Sequence, residues 1–191
     1  MKNCIAGCLI ALFTVLVLTG CGNGTKTDGN KDAADVPQEQ SAYQEVLEGD
    51  AAPDFTAEMT DGTTFVLSEQ RDKVVLLNFW ATWCGPCVKE MPAFEKLNSE
   101  YGQEVVILAI NCMEDKDTVN KFISDNEYTF PFAYDTEGEI ARKYPSDGIP
   151  YTLVIGRDGL VKNIYLGAFD ADKQYEEYKT AIEAALGESE E

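Results

Sequence analysis

The residues best suited to chemistry lie in "NFWATWCGPCVKEMP", residues 78–92, where Cys84 and Cys87 are separated by two residues just after an apolar run. A dithiol at that spacing exchanges electrons with a partner disulfide. One thiolate attacks, and the second displaces the mixed disulfide, leaving the pair oxidised and the partner reduced. Cys84 stands where a helix should begin, and backbone amides and the helix dipole there favour its thiolate. Cys87 is then the resolving thiol. Gly85 and Pro86 permit a tight entry into the helix, with Pro in the first turn, where its missing N–H costs nothing. The 191-residue chain has no His, which excludes Ser-His-Asp and Cys-His nucleophile pairs and every His metal site. A zinc site needs four ligands, and past residue 20 only Cys21 and Cys112 accompany the pair. A c-type haem would need His where Val88 stands. No metal and no cofactor are expected.

The elements that must hold this pair read clearly. "KVVLLNFW" (73–80) is a continuous apolar, β-branched run, fitting a buried strand that delivers the chain to Cys84. A helix follows from Cys87 to about Tyr101, with Met91, Phe94 and Leu97 on one side. "EVVILAIN" (104–111) is a second buried strand, and Val119, Phe122 and Ile123 mark a helix over 116–126. Asp61-Gly62 places a hairpin between "DFTAEM" and "TTFVL". "FPFAYD" (130–135) reads as a short extended segment and "EGEIARKY" (137–144) as a helix. "PYTLVIG" and "LVKNIYLG" form a hairpin through "RDG", and Tyr175, Tyr178, Ile182 and Ala185 line a closing helix, 172–186. This order predicts an α/β domain with a mixed sheet.

The front of the chain differs in kind. Lys2 precedes an apolar stretch from Ile5 to Leu18, the pattern of a secretory signal and shorter than a spanning helix needs. It ends in "LTGC" (18–21), which resembles the lipobox of bacterial lipoproteins; the resemblance implies lipid attachment at Cys21 and an extracytoplasmic domain anchored to the cell membrane. The expected organisation is a signal peptide over 1–20, a polar tether over 21–50, a folded domain over 51–187 and an acidic tail over 188–191. With 34 acidic against 15 basic residues the formal charge is −19, so phosphate backbones are repelled and no nucleic-acid partner is expected.

"WCGPC" is the thioredoxin active-site sequence, Pro92 matches the proline within thioredoxin's active-site helix, and "GIP" (148–150) resembles its cis-proline segment. Together with the "APDF" opening, "DGTTFVLSEQRDKVVLLNFWATWCGPCVKEMP" is similar to the TlpA/ResA-like branch of extracytoplasmic thioredoxin-fold disulfide reductases. The resemblance implies a thioredoxin fold, a mixed central sheet flanked by helices, with an added N-terminal β-hairpin. It implies that Trp83, Gly85, Pro86, Ile149 and Pro150 face the substrate, with Ile149 offering backbone groups to an extended client strand. Where thioredoxin has a buried Asp as proton acceptor, this chain has Asn78, which cannot take a proton. In the TlpA/ResA-like branch the candidate is a Glu three residues past the second Cys, and Glu90 stands there, on the same helix face as Cys87. The family usually has Thr after the cis-proline, whereas this chain has Tyr151.

Gly-Pro between the cysteines matches the reducing end of the known range of potentials, so the expected activity is a protein-disulfide reductase acting on exported proteins. The family implies a CcdA/DsbD-type membrane protein as electron donor, and apocytochrome c or a methionine sulfoxide reductase among the possible clients. A peroxiredoxin would share the fold and the "APDF" opening, but Leu77 and Ala81 stand where its motif has Pro and Thr or Ser, so it is the weakest alternative. An extracytoplasmic oxidase or isomerase, or a tethered binding module with a structural disulfide, remain as alternatives. Cys112 reads either as a small core residue or as a third thiol near the pair.

Overall fold

The computed structural model describes residues 45–187. Seven strands, β1 (Thr56–Met59), β2 (Thr64–Val66), β3 (Val74–Trp80), β4 (Val105–Cys112), β5 (Phe132–Asp135), β6 (Tyr151–Ile155) and β7 (Val161–Leu166), are interrupted by the helices α1 (Gly85–Tyr101) after β3, α2 (Lys116–Asn126) after β4 and α3 (Ala171–Gly187) after β7. The strands form one mixed sheet in the order β2-β1-β5-β4-β3-β6-β7. β3 runs parallel to β4 and antiparallel to β6, and all seven of its residues are buried. Its side chains alternate between two cores, as a pleated strand requires. Val74, Leu76 and Trp80 face the layer made by the three helices, whereas Val75, Leu77 and Phe79 face the N-terminal hairpin and the segment leading to Tyr151. Asn78 shares the parity of Leu76 and Trp80, so it points toward α1 and α3. On those helices Met91, Phe94, Leu97, Tyr175, Tyr178, Ile182 and Ala185 are all buried, and Phe94 stacks on Tyr178 with ring centroids 5.5 Å apart.

Two features depart from the sequence reading. The helix expected over 137–144 is only a 3-10 turn, Ala141–Lys143. The Asp135 carboxylate accepts the N–H groups of Ile140 and Ala141, taking donors a helix would have used, and Gly138 stands at φ 67°. The described part of the expected tether, residues 45–50, lies against the domain. Val46 is buried, Gly49 N–H donates to the Val161 carbonyl at 2.8 Å, and Val161 N–H donates to the Asp50 carbonyl at 2.9 Å. The expected signal peptide, Cys21, the rest of the tether and the acidic tail lie outside the described residues. Among the described residues no helix is long and apolar enough to cross a membrane.

Candidate active site

β3 ends at Trp80, and a short loop carries the chain to Cys84, the N-cap of α1. Cys84 and Cys87 are joined as a disulfide, and Cys84 Sγ accepts the Cys87 N–H at 3.3 Å. Gly85 and Pro86 are exposed in the first turn, as the spacing predicted. Cys84 is 5 % exposed and Cys87 fully buried, so only the first sulfur is open to a partner. The Ile149–Pro150 peptide bond is cis, and Cys84 Sγ lies 3.8 Å from the Ile149 carbonyl oxygen. The loop before the pair is pinned by Glu114, a residue the sequence did not single out. Its carboxylate accepts Thr82 N–H at 2.7 Å, the Thr82 hydroxyl at 2.5 Å and the Asn111 amide at 2.7 Å. This contact exists because β3 and β4 are in parallel register, Trp80 beside Asn111, so both strands end together.

Glu90 is fully buried. Burial pushes its carboxyl up to about 8, against the opposing pull of hydrogen bonds from Tyr178 and Asn78. Asn78 Nδ2 donates to Oε1 at 3.0 Å and Tyr178 Oη donates to Oε2 at 2.7 Å. Thr152 Oγ1 completes the cluster, 2.8 Å from Asn78 Nδ2 and 3.1 Å from Tyr178 Oη. Asn78 therefore has a role that its inability to take a proton did not reveal: it orients the residue that can. Tyr178 and Thr152 lie 88 and 62 positions beyond Glu90 in the sequence and carry no local motif; the only signal was the burial of the closing helix.

Four exposed apolar side chains lie at the same edge of the sheet as the dithiol. Trp83 is 73 % exposed and Met113 70 % exposed; with Leu166 and Phe169 they follow or close strand ends at the edge of the sheet that carries the dithiol. Ile149 also lines a cavity of about 420 Å³ with Phe79, Cys112, Met113, Tyr144 and Pro145. Cys112 is buried, and burial, with the nearby Asp135 adding to it, pushes its thiol up to about 12. That is the chemistry of a core residue rather than of a third nucleophile. Tyr151 is also buried, its ring stacked on Phe79, so it packs the core instead of projecting into the client groove.

The Redoxin family profile matches residues 47–182. The thiol-disulfide oxidoreductase ResA of Oceanobacillus iheyensis is 39 % identical over 130 residues, covering 65 % of this chain and 68 % of its own. The ResA of Geobacillus kaustophilus is 38 % identical over 138 residues, covering 70 % of this chain and 79 % of its own. A solved Chlorobium tepidum structure, described as a thiol:disulfide interchange protein DsbE, superposes with a TM-score of 0.69 at 33 % identity, over 75 % of this chain and 100 % of that one. With the disulfide at the mouth of α1, the cis-proline beside it and a buried carboxylate one turn behind, these likenesses agree with the geometry: the chain belongs to the Redoxin family, as a thiol-disulfide oxidoreductase of the ResA type.

Proposed function

We propose that this protein is an extracytoplasmic disulfide reductase, held at the membrane by lipid on Cys21, that reduces exported proteins through Cys84 and Cys87. The observation that carries the reading is that the buried resolving sulfur, Cys87, stands three residues before a buried Glu90 on α1, whose carboxyl burial raises to about 8. The Cys84 thiolate attacks a client disulfide and one client sulfur leaves as a thiolate. Glu90 takes the Cys87 proton, Cys87 attacks the Cys84 sulfur, and the second client sulfur leaves. The client gains two electrons, and Cys84–Cys87 is left oxidised.

Ile149 and Pro150 offer a backbone edge, Trp83 an apolar platform, and the cavity beside Ile149 room for a client side chain. Gly85-Pro86 between the cysteines supports the reductive direction. Continued turnover requires a thiol donor that reaches the outer side of the membrane, and a CcdA/DsbD-type protein is that donor; apocytochrome c and an exported methionine sulfoxide reductase are the first clients to try. The test is the equilibrium potential of Cys84–Cys87 in defined thiol–disulfide buffers. A value at or below about −250 mV supports the reductase, and one above about −180 mV replaces it with an oxidase or isomerase. Cys84→Ser should abolish disulfide exchange with the fold intact; retained function would mean a binding module. Loss of membrane association and of metabolic lipid labelling in Cys21→Ala tests the anchor.

A further inference from the structure

A buried acid that takes up a proton meets a difficulty. Its carboxylate form needs hydrogen-bond donors, its protonated form needs an acceptor, and a buried group left unpaired in either state is costly. We infer that Tyr178 and Thr152 form a two-position hydrogen-bond switch that lets Glu90 take up and release the Cys87 proton without movement of any heavy atom, an inference that rests on Glu90 being the proton acceptor.

The distances define both positions. Tyr178 Oη lies 2.7 Å from Glu90 Oε2 and 3.1 Å from Thr152 Oγ1, within reach of either with its single proton. With Glu90 ionised, Tyr178 donates to Oε2 and Asn78 Nδ2 donates to Oε1, so both carboxylate oxygens are satisfied. With Glu90 protonated, the proton rests on Oε2, because Oε1 already faces the Asn78 donor. It is then donated to Tyr178 Oη, whose own proton turns to Thr152 Oγ1. Asn78 Nδ2 has two N–H groups and serves Glu90 and Thr152 in both states.

The frame around the switch is rigid. Tyr178 is fully buried, stacked on Phe94 and edge-on to Tyr165, with centroids 5.5 and 5.1 Å away. Burial, reinforced by the neighbouring Glu90, drives the Tyr178 phenol far above its ordinary range, so it reorients its proton rather than losing it. The titratable groups in contact around Glu90 are Tyr178 from α3 and, behind it, Tyr165 from β7; Cys87 is buried three residues before Glu90 on α1, and β3 and β6 contribute the neutral Asn78 and Thr152. In the forward reaction Cys87 gives up its proton as its sulfur bonds to Cys84, and Glu90 holds it. When a donor thiol reduces the pair, the departing Cys87 thiolate takes it back.

The two partners should act in opposite directions. Tyr178→Phe removes a donor from the carboxylate and should disfavour ionisation. Thr152→Val removes the resting place of the Tyr178 proton when Glu90 is protonated, and should favour ionisation. It also orphans one Asn78 N–H, but equally in both states. The experiment uses the full chain with Cys84 in mixed disulfide with glutathione. The rate of glutathione loss from the Cys84 peptide, read by mass, reports attack by Cys87 as a function of pH. Tyr178→Phe should move the inflection up by about one pH unit, a tenfold loss of carboxylate below it, and Thr152→Val should move it down. Thr152→Ser, which keeps the hydroxyl, should restore the wild-type profile. Shifts in the same direction, or Thr152→Val and Thr152→Ser profiles that coincide with each other, overturn the switch; the Thr152 pair decides even if Tyr178→Phe folds poorly. Glu90→Gln separates the two levels. If it leaves the inflection in place, the reading of Glu90 fails; if it removes the inflection while the partners do not split, only the switch fails.

Discussion

Glu90 stores its chemistry as a stability cost that depends on pH. Its carboxyl is raised from 4.5 to about 8 in the folded protein, so the native state binds a proton that the unfolded chain has already released over that interval. Stability is therefore greatest at the acid end of the window and falls as pH rises from about 4.5 through about 8. At about 1.4 kcal/mol for each tenfold change in ionisation, the loss amounts to a few kcal/mol. Denaturant unfolding of the oxidised protein from pH 5 to 9 should show the decline, and Glu90→Gln should flatten it. Cys112 behaves differently under the same physics. A thiol raised from 9.0 to about 12 has roughly a thousandfold less thiolate than a free one at pH 8. Iodoacetamide should label Cys84 in the reduced native protein and reach Cys112 only on unfolding, as peptide masses would show. The dithiol was legible from its spacing, and Glu90 from the family resemblance, three residues past Cys87 on the same helix. Tyr178 and Thr152 were not, because their roles arise only when the last helix packs on the first and β6 settles beside β3.

At the scale of elements, apolar period and turn residues were sufficient wherever an element is buried on a regular face. β3, β4, α1, α2 and α3 fall within about two residues of the sequence reading. The failure at 137–144 has the same origin as those successes. Ile140 and Tyr144 are buried at helical spacing, but the amides between them are captured by Asp135, which no periodicity records. A second loop makes a sharper test. Gly159 links β6 to β7 at φ 78°, and an added Cβ would lie 0.8 Å from Arg71 Nη1, so the guanidinium fills the space that glycine leaves open. Gly159→Ala should cost roughly 1–3 kcal/mol, from left-handed strain plus displacement of Arg71, measured as a shift in denaturant midpoint without loss of disulfide exchange.

The whole molecule carries a charge of −19, and that field acts on every client before any contact forms. Cationic protein disulfides should be reduced faster than anionic ones at low salt, by about tenfold or more in kcat/KM. The advantage should shrink as salt is added, while a small neutral disulfide is unaffected. Equal salt sensitivity for all three would remove any steering role. The same scale shows how the sheet ends. β2 is only three residues long, too short to template another strand. β7 is longer, and its amide edge is occupied by the chain's own approach, through Gly49 and Asp50 on Val161, the Ala51–Leu160 bridge and the Glu48 carboxylate on Ile164 N–H. Residues that read as a leash thus serve as a selvedge: among the described residues one outer strand is short and the other is hemmed by the chain's own approach, which narrows the edge on which a second copy would knit its sheet.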